Sequence, residues 1–173
     1  KQCGVNNIKI TKEFVNIPIT EASNSENKIF LQQEIWQPIR IHLDFTNIDA
    51  ITTLDKAWVS SIKTFMYETF SIFSSFLKVQ RLTTNLSVPR CKIMGQESII
   101  ISDTIKNGVS ADLVVIFKID YSLASTSVLA WAGACLFNSQ NNRPVAGLMA
   151  IHPKNFNFSR VNSYKKLFSL VFH

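Results

Sequence analysis

The stretch Leu113-Val-Val-Ile-Phe-Lys-Ile119, bracketed by Asp112 and Asp120, restricts the fold more than any other part of the chain. It is almost wholly apolar and rich in β-branched residues. Such a run reads as a central strand buried on both faces. A strand of that kind needs neighbours on its edges and a layer of chain against each face.

The flanking sequence supplies both. Ile39, Ile41, Leu43 and Phe45 alternate with Arg40, His42 and Asp44, the pattern of a half-buried strand, with Pro38 suited to its first position. Thr52 or Thr53 can then cap a long helix with Asp55 in its first turn. Trp58, Ile62, Phe65, Met66, Phe70, Phe73, Phe76 and Leu77 follow at three- and four-residue steps, predicting a helix from about Leu54 to about Leu77 that packs on the sheet. Val128–Phe137 predicts a strand whose Gly133 and alanines let another backbone approach closely. Asn138–Pro144 is dense in turn formers, so Val145–Ile151 should complete a hairpin with a longer loop. Residues 1–34 show no clear period and read as an extended lead segment. Val161, Tyr164, Leu167, Phe168 and Val171 mark a final helix after Pro153 that runs to the last residue without a stop signal, which suggests a cut chain. The expected architecture is a mixed α/β sandwich.

Composition narrows the function classes. Hydrophobic residues at 46% support a packed core, which argues against wholesale disorder. The net charge of +6 invites a nucleic-acid reading, but the basic residues are scattered and the longest cluster is Lys165-Lys166, so no nucleic-acid partner is expected. No run of eighteen apolar residues predicts a membrane-spanning helix. Residue 1 is Lys, and no apolar segment of a signal peptide follows. Phosphate loops, Gly-x-Gly-x-x-Gly, Gly-x-Ser-x-Gly and Cys-x-x-Cys are absent from the sequence. Its three histidines, at 42, 152 and 173, lie far apart. Asn85-Leu-Ser and Asn157-Phe-Ser are glycosylation sequons that matter only in a secreted protein.

Several segments, taken in order, carry a resemblance. Trp36-Gln-Pro-Ile-Arg-Ile-His-Leu-Asp-Phe, the helix ending in Phe76-Leu-Lys-Val, and Gly108-Val-Ser-Ala-Asp-Leu-Val-Val-Ile-Phe are three of them. Leu129-Ala-Trp-Ala-Gly-Ala-Cys and Arg143-Pro-Val-Ala-Gly-Leu-Met-Ala-Ile-His-Pro complete the set. Together they resemble the leishmanolysin-like zinc metallopeptidases, of metzincin type, over about residues 35–173. The implied domain is the N-terminal part of a catalytic domain: a mixed twisted sheet backed by one long helix and the start of the active-site helix.

The resemblance implies more. The family's next helix carries His-Glu-x-x-His, and Tyr164–Phe172 matches the run leading into it. His173 would then be the first ligand of a single zinc ion. Two histidines one helical turn apart face one metal, and the glutamate between them is the general base. These residues alone hold neither that glutamate nor the other ligands, so no catalytic residue is assigned and no activity or zinc binding is expected from them by themselves. Peptidases of this class hold a peptide or protein substrate as a strand added to a sheet edge, which points to Leu129, Ala130, Trp131, Ala132 and Gly133, on a candidate edge reaching about Leu136. The resemblance favours a Cys91–Cys135 disulfide, although Val88-Pro89 precede Cys91 where the family usually has the cysteine first. Cys3 is either the remnant of a zinc-ligating cysteine switch, without its usual flanking histidines, or a thiol with another fate. A secreted or cell-surface location and membrane association follow from the resemblance alone. The competing reading is a non-catalytic relative that keeps the scaffold and binds peptides or a protein.

Overall fold

The computed structural model describes residues 12–19, 36–93, 99–122 and 130–155. Five strands form one mixed sheet: β1 (Glu13–Val15), β3 (Ile41–Asp44), β5 (Leu113–Ile119), β6 (Ala130–Asn138) and β7 (Pro144–Ile151), in the order β1-β6-β7-β5-β3. β5 is parallel to both β3 and β7, while β6 and β7 are antiparallel, as a hairpin requires. The apolar run therefore sits inside the sheet, and six of its seven residues are buried.

Each face of the sheet has its own cover. On one face Leu43, Phe45, Val115, Phe117, Met149 and Ile151 meet Ile62, Phe65 and Met66 of the helix α2 (Lys56–Phe76). Phe45 stacks on Phe117 at 4.5 Å, and Phe70 meets the same ring edge-on. On the other face Val114, Ile116, Leu136, Ala146 and Leu148 lie under Leu82, Leu86, Val88 and Ile93, joined by Ile105 of α3 (Asp103–Asn107). Strand alternation sends odd and even residues of β5 to opposite covers.

Four expectations need correction. The helix cap is Asp55, whose Oδ1 accepts from the backbone N–H of Trp58 at 2.8 Å, rather than Thr52 or Thr53. Residues 46–49 form a preceding short helix α1 (Thr46–Asp49), and the turn after it occupies the threonines. The apolar stripe does not stay buried to its end: Phe76 is 76% exposed and Leu77 41%. Pro38 does not open β3. It ends a separate strand β2 (Trp36–Pro38), antiparallel to β4 (Lys78–Gln80), and the chain breaks step at Ile39 and Arg40 before β3 starts.

The fourth correction concerns residues 1–34. The extended lead carries one element that the sequence did not predict: Glu13–Val15 pair parallel with Leu136–Asn138 as the outermost strand. Ile17 is buried, and Ile19 bridges to Leu82. β-pairing to an exposed neighbour overrides the weak local signal of three residues.

Arg40, at the break before β3, grips the start of β5. The fully buried Asp112 accepts from the Arg40 backbone N–H, Nε and Nη2, each at 3.0 Å, and from the Leu82 N–H at 2.8 Å. Burial pushes the Asp112 carboxyl up, but the Arg40 guanidinium and these backbone donors together hold it below the usual carboxylate value.

Candidate functional site

The C-terminal hairpin builds the candidate sheet edge. β6 pairs with β7 on its inner side from Ala130 to Phe137, with breaks in register around Leu136. On its outer side β1 reaches only Leu136, Phe137 and Asn138. Among the described residues, no strand pairs with the outer side of Ala130–Ala134. Burial follows this division: Trp131, Gly133 and Ala134 are half-buried and Ala132 is exposed, whereas Cys135 to Asn138 are all buried.

A bulge marks the boundary. Ala134 lies opposite Gly147 and Leu136 opposite Ala146, so Cys135 is an extra residue in β6. Regular alternation would point Cys135 and Leu136 to opposite faces, yet both join the same core cluster. Cys135 is bonded there to Cys91, with Cα atoms 5.2 Å apart. The disulfide pins the covering segment around residues 82–93 to the sheet at the bulge. Beside it Ile93 fills the space above Gly133: a Cβ on that glycine would lie 3.0 Å from the Ile93 Cδ1. The small residue thus admits a side chain from above. Gly147 admits a backbone, since its Cβ would stand 3.1 Å from the Gly133 carbonyl oxygen.

The open half of β6 ends beside a polar group at the C-terminal ends of β5 and β7. Trp131 Nε1 donates to Asp120 Oδ2 at 2.8 Å, and the Lys118 ammonium stands over the indole at 5.9 Å from its centre. Ser122 donates to Asp120 through its hydroxyl, at 2.6 Å, and through its backbone N–H, at 3.0 Å. Burial raises the Asp120 carboxyl, and the Ser122 and Trp131 donors with nearby Lys118 outweigh it, so the group stays ionised below the usual range. The Trp131 ring is thus tied to Asp120 at the margin of the open edge. His152 lies just beyond β7, buried, with Nδ1 accepting from the Lys154 N–H at 3.3 Å and its ring edge-on to Tyr121.

Of the residues singled out from sequence, Ala130, Trp131, Ala132 and Gly133 fall together on this edge. Leu129, Cys3, His173 and the helix expected over 161–173 lie outside the described residues. The candidate edge to Leu136 is shortened, because β1 already holds Leu136. His42 sits on β3, at the opposite side of the sheet from β6, so the structure does not bring it to His152 or to the edge. Among the described residues, no three His, Cys, Asp or Glu side chains gather in a way that could hold a metal ion. Sequence reasoning missed β1 and the Asp120–Trp131 bond. The signal for β1 was faint, the apolar pair Phe14-Val15 ahead of Pro18; for the bond there was none, since a tryptophan's partner is set by the strand register.

The sequence matches a protein-family model described as leishmanolysin over residues 15–169. None of the curated proteins matches this chain.

Proposed function

The chain belongs to the leishmanolysin family, and from that premise we propose that it forms the strand-bearing wall of a peptidase cleft. The family hydrolyses peptide bonds and depends on zinc, so peptides or proteins are the substrate class. The described residues do not fit a zinc ion, and their part in the chemistry is to hold and align the substrate backbone. His173 is proposed as the first zinc ligand; a native transcript that reads Glu-x-x-His after its codon supports this, and any other continuation removes it.

The observation that carries the reading is the outer side of Ala130–Ala134. Among the described residues that side has no partner strand, and such an edge offers backbone N–H and C=O groups that a peptide can pair with. Small residues at 130, 132, 133 and 134 keep side chains from blocking that approach, and Trp131 is held back by Asp120. Edges of this kind are hazards in proteins that do not use them, and natural chains cover or charge them. No charged side chain stands between Ala130 and Leu136.

The disulfide fits a location outside the reducing cytosol, in keeping with the extracellular or surface location typical of the family.

Titrating the isotope-labelled protein with an extended, β-branched peptide tests the edge. The backbone amides of Ala130, Trp131, Ala132, Gly133 and Ala134 should shift most, while those of β3 on the far side of the sheet stay in place. Largest shifts on β3, or on the exposed end of α2, would defeat the reading.

A further inference from the structure

We propose that β1 is a built-in stop at one end of the peptide edge: a bound peptide pairs along Ala130–Ala134 and does not extend past Cys135. The inference rests on the reading of Ala130–Ala134 as the edge that takes the peptide, and it assigns that edge a length.

Two independent features end the edge at the same residue. β1 already occupies the outer side of Leu136, Phe137 and Asn138. The bulge at Cys135 breaks the regular spacing of strand groups there, so pairing beyond it would be weaker even without β1.

β1 is also firmly attached. The Glu13 carboxylate accepts from the guanidinium of Arg90, next to the disulfide-bonded Cys91. The Val15 carbonyl accepts from the Ser139 N–H at 2.9 Å. Asn138, fully buried, donates through Nδ2 to the Ile17 carbonyl at 2.8 Å. Phe14 lies against Phe137 with ring centres 5.9 Å apart, and the Lys12 ammonium stands 5.5 Å from the centre of the Phe137 ring. A peptide displacing β1 would have to break all of these.

The remaining edge is about five residues long, roughly 17 Å at the usual strand rise. An added peptide is favoured in the antiparallel sense, the slightly stronger pairing. Its N-terminal side then runs toward Cys135 and meets Lys12 and Glu13. Its C-terminal side lies toward Ala130, where Asp120 donates its N–H to the Ile151 carbonyl at the end of the sheet. Residues added to the N-terminal side beyond the stop therefore gain no strand partner, and those on the other side are not limited by β1.

The test is a nested set of acetylated, β-branched peptides that carry a spin label at the N-terminus and are lengthened one residue at a time from that end. On the full chain, each added pair should tighten binding by about two- to tenfold, the range that a net backbone hydrogen bond gives. Once the label broadens the amides of Glu13 and Phe14, further residues should change affinity by less than about twofold on the same scale. Steady tightening past that point, or broadening along β7 instead, overturns the stop. A chain lacking residues 1–15 should regain part of the lost gain; if that variant does not fold, the length series on the intact chain decides alone. If no peptide of any length broadens residues 130–134, the edge reading itself fails, which is a different result from a length series without a plateau.

Discussion

Replacing Asp112 by alanine will lower the unfolding free energy by about 3–5 kcal/mol, the loss expected when one partner of a buried charge pair is removed. The size follows from what is stranded. Asp112 is fully buried and takes four donors, three from Arg40 and one from Leu82. The Arg40 guanidinium would keep its bonds to the Ser110 hydroxyl and the Leu82 carbonyl but lose its charge partner. A domain with a typical stability of about 5–15 kcal/mol would be left near its threshold. The urea midpoint should fall with little change in slope, and a shift under about 1 kcal/mol would show that the clamp is worth no more than a surface pair. The same group sets an acid limit. Its folded pKa lies below the ordinary value of 3.8, so its contribution is complete above that value and is lost as pH falls through the depressed folded pKa. Arg143 provides the opposite sign as a control. Among the described residues its three buried guanidinium nitrogens have no hydrogen-bond partner, and burial lowers its pKa against the pull of Asp112. Asp112 has no acceptor position to spare for it. Arg143→Met should therefore raise stability, by about 1–3 kcal/mol.

Removing the Cys91–Cys135 bridge is the second large effect. The bond closes a loop of sequence separation 44, for which chain entropy alone gives about 4 kcal/mol. The cost should also be local. The bridge holds residues 82–93 on the sheet, so a Cys91→Ala/Cys135→Ala variant should lose amide protection first in β6 and around Ile93. Unfolding curves with and without reductant give the total, and hydrogen exchange gives the location. A loss spread evenly over β3 and β5 would mean that the bridge acts only on the unfolded chain.

Much of the scaffold was legible because long segments carry strong periods. The run 113–119, the hairpin 130–151 and the stripe from Trp58 to Phe70 each repeat one pattern over many residues, and all three formed as expected. Short elements were not legible. β1, β2 and β4 have three residues each and exist only because a partner strand receives them. The candidate edge was legible in its residue types, since small side chains at 130, 132, 133 and 134 are visible in the sequence. Its true length was not, because it depends on where β1 pairs and where the bulge falls, and both are tertiary outcomes. Asp112 and Arg40 gave no local sign of their clamp, being 72 positions apart.

The strand order also imposes a schedule on synthesis. β3 waits for β5, β5 waits for β7, and β1 waits for β6, so every parallel pair joins distant parts of the chain. At about 5–20 residues per second, roughly 5–20 s pass on the ribosome between the emergence of β3 and that of β7. During that interval the apolar stripe of α2 has no finished sheet to lie on. The nascent chain is therefore expected to need a chaperone's cover until the hairpin arrives, and the hairpin, whose pairing is local, is the natural seed from which the sheet grows back toward the N-terminus.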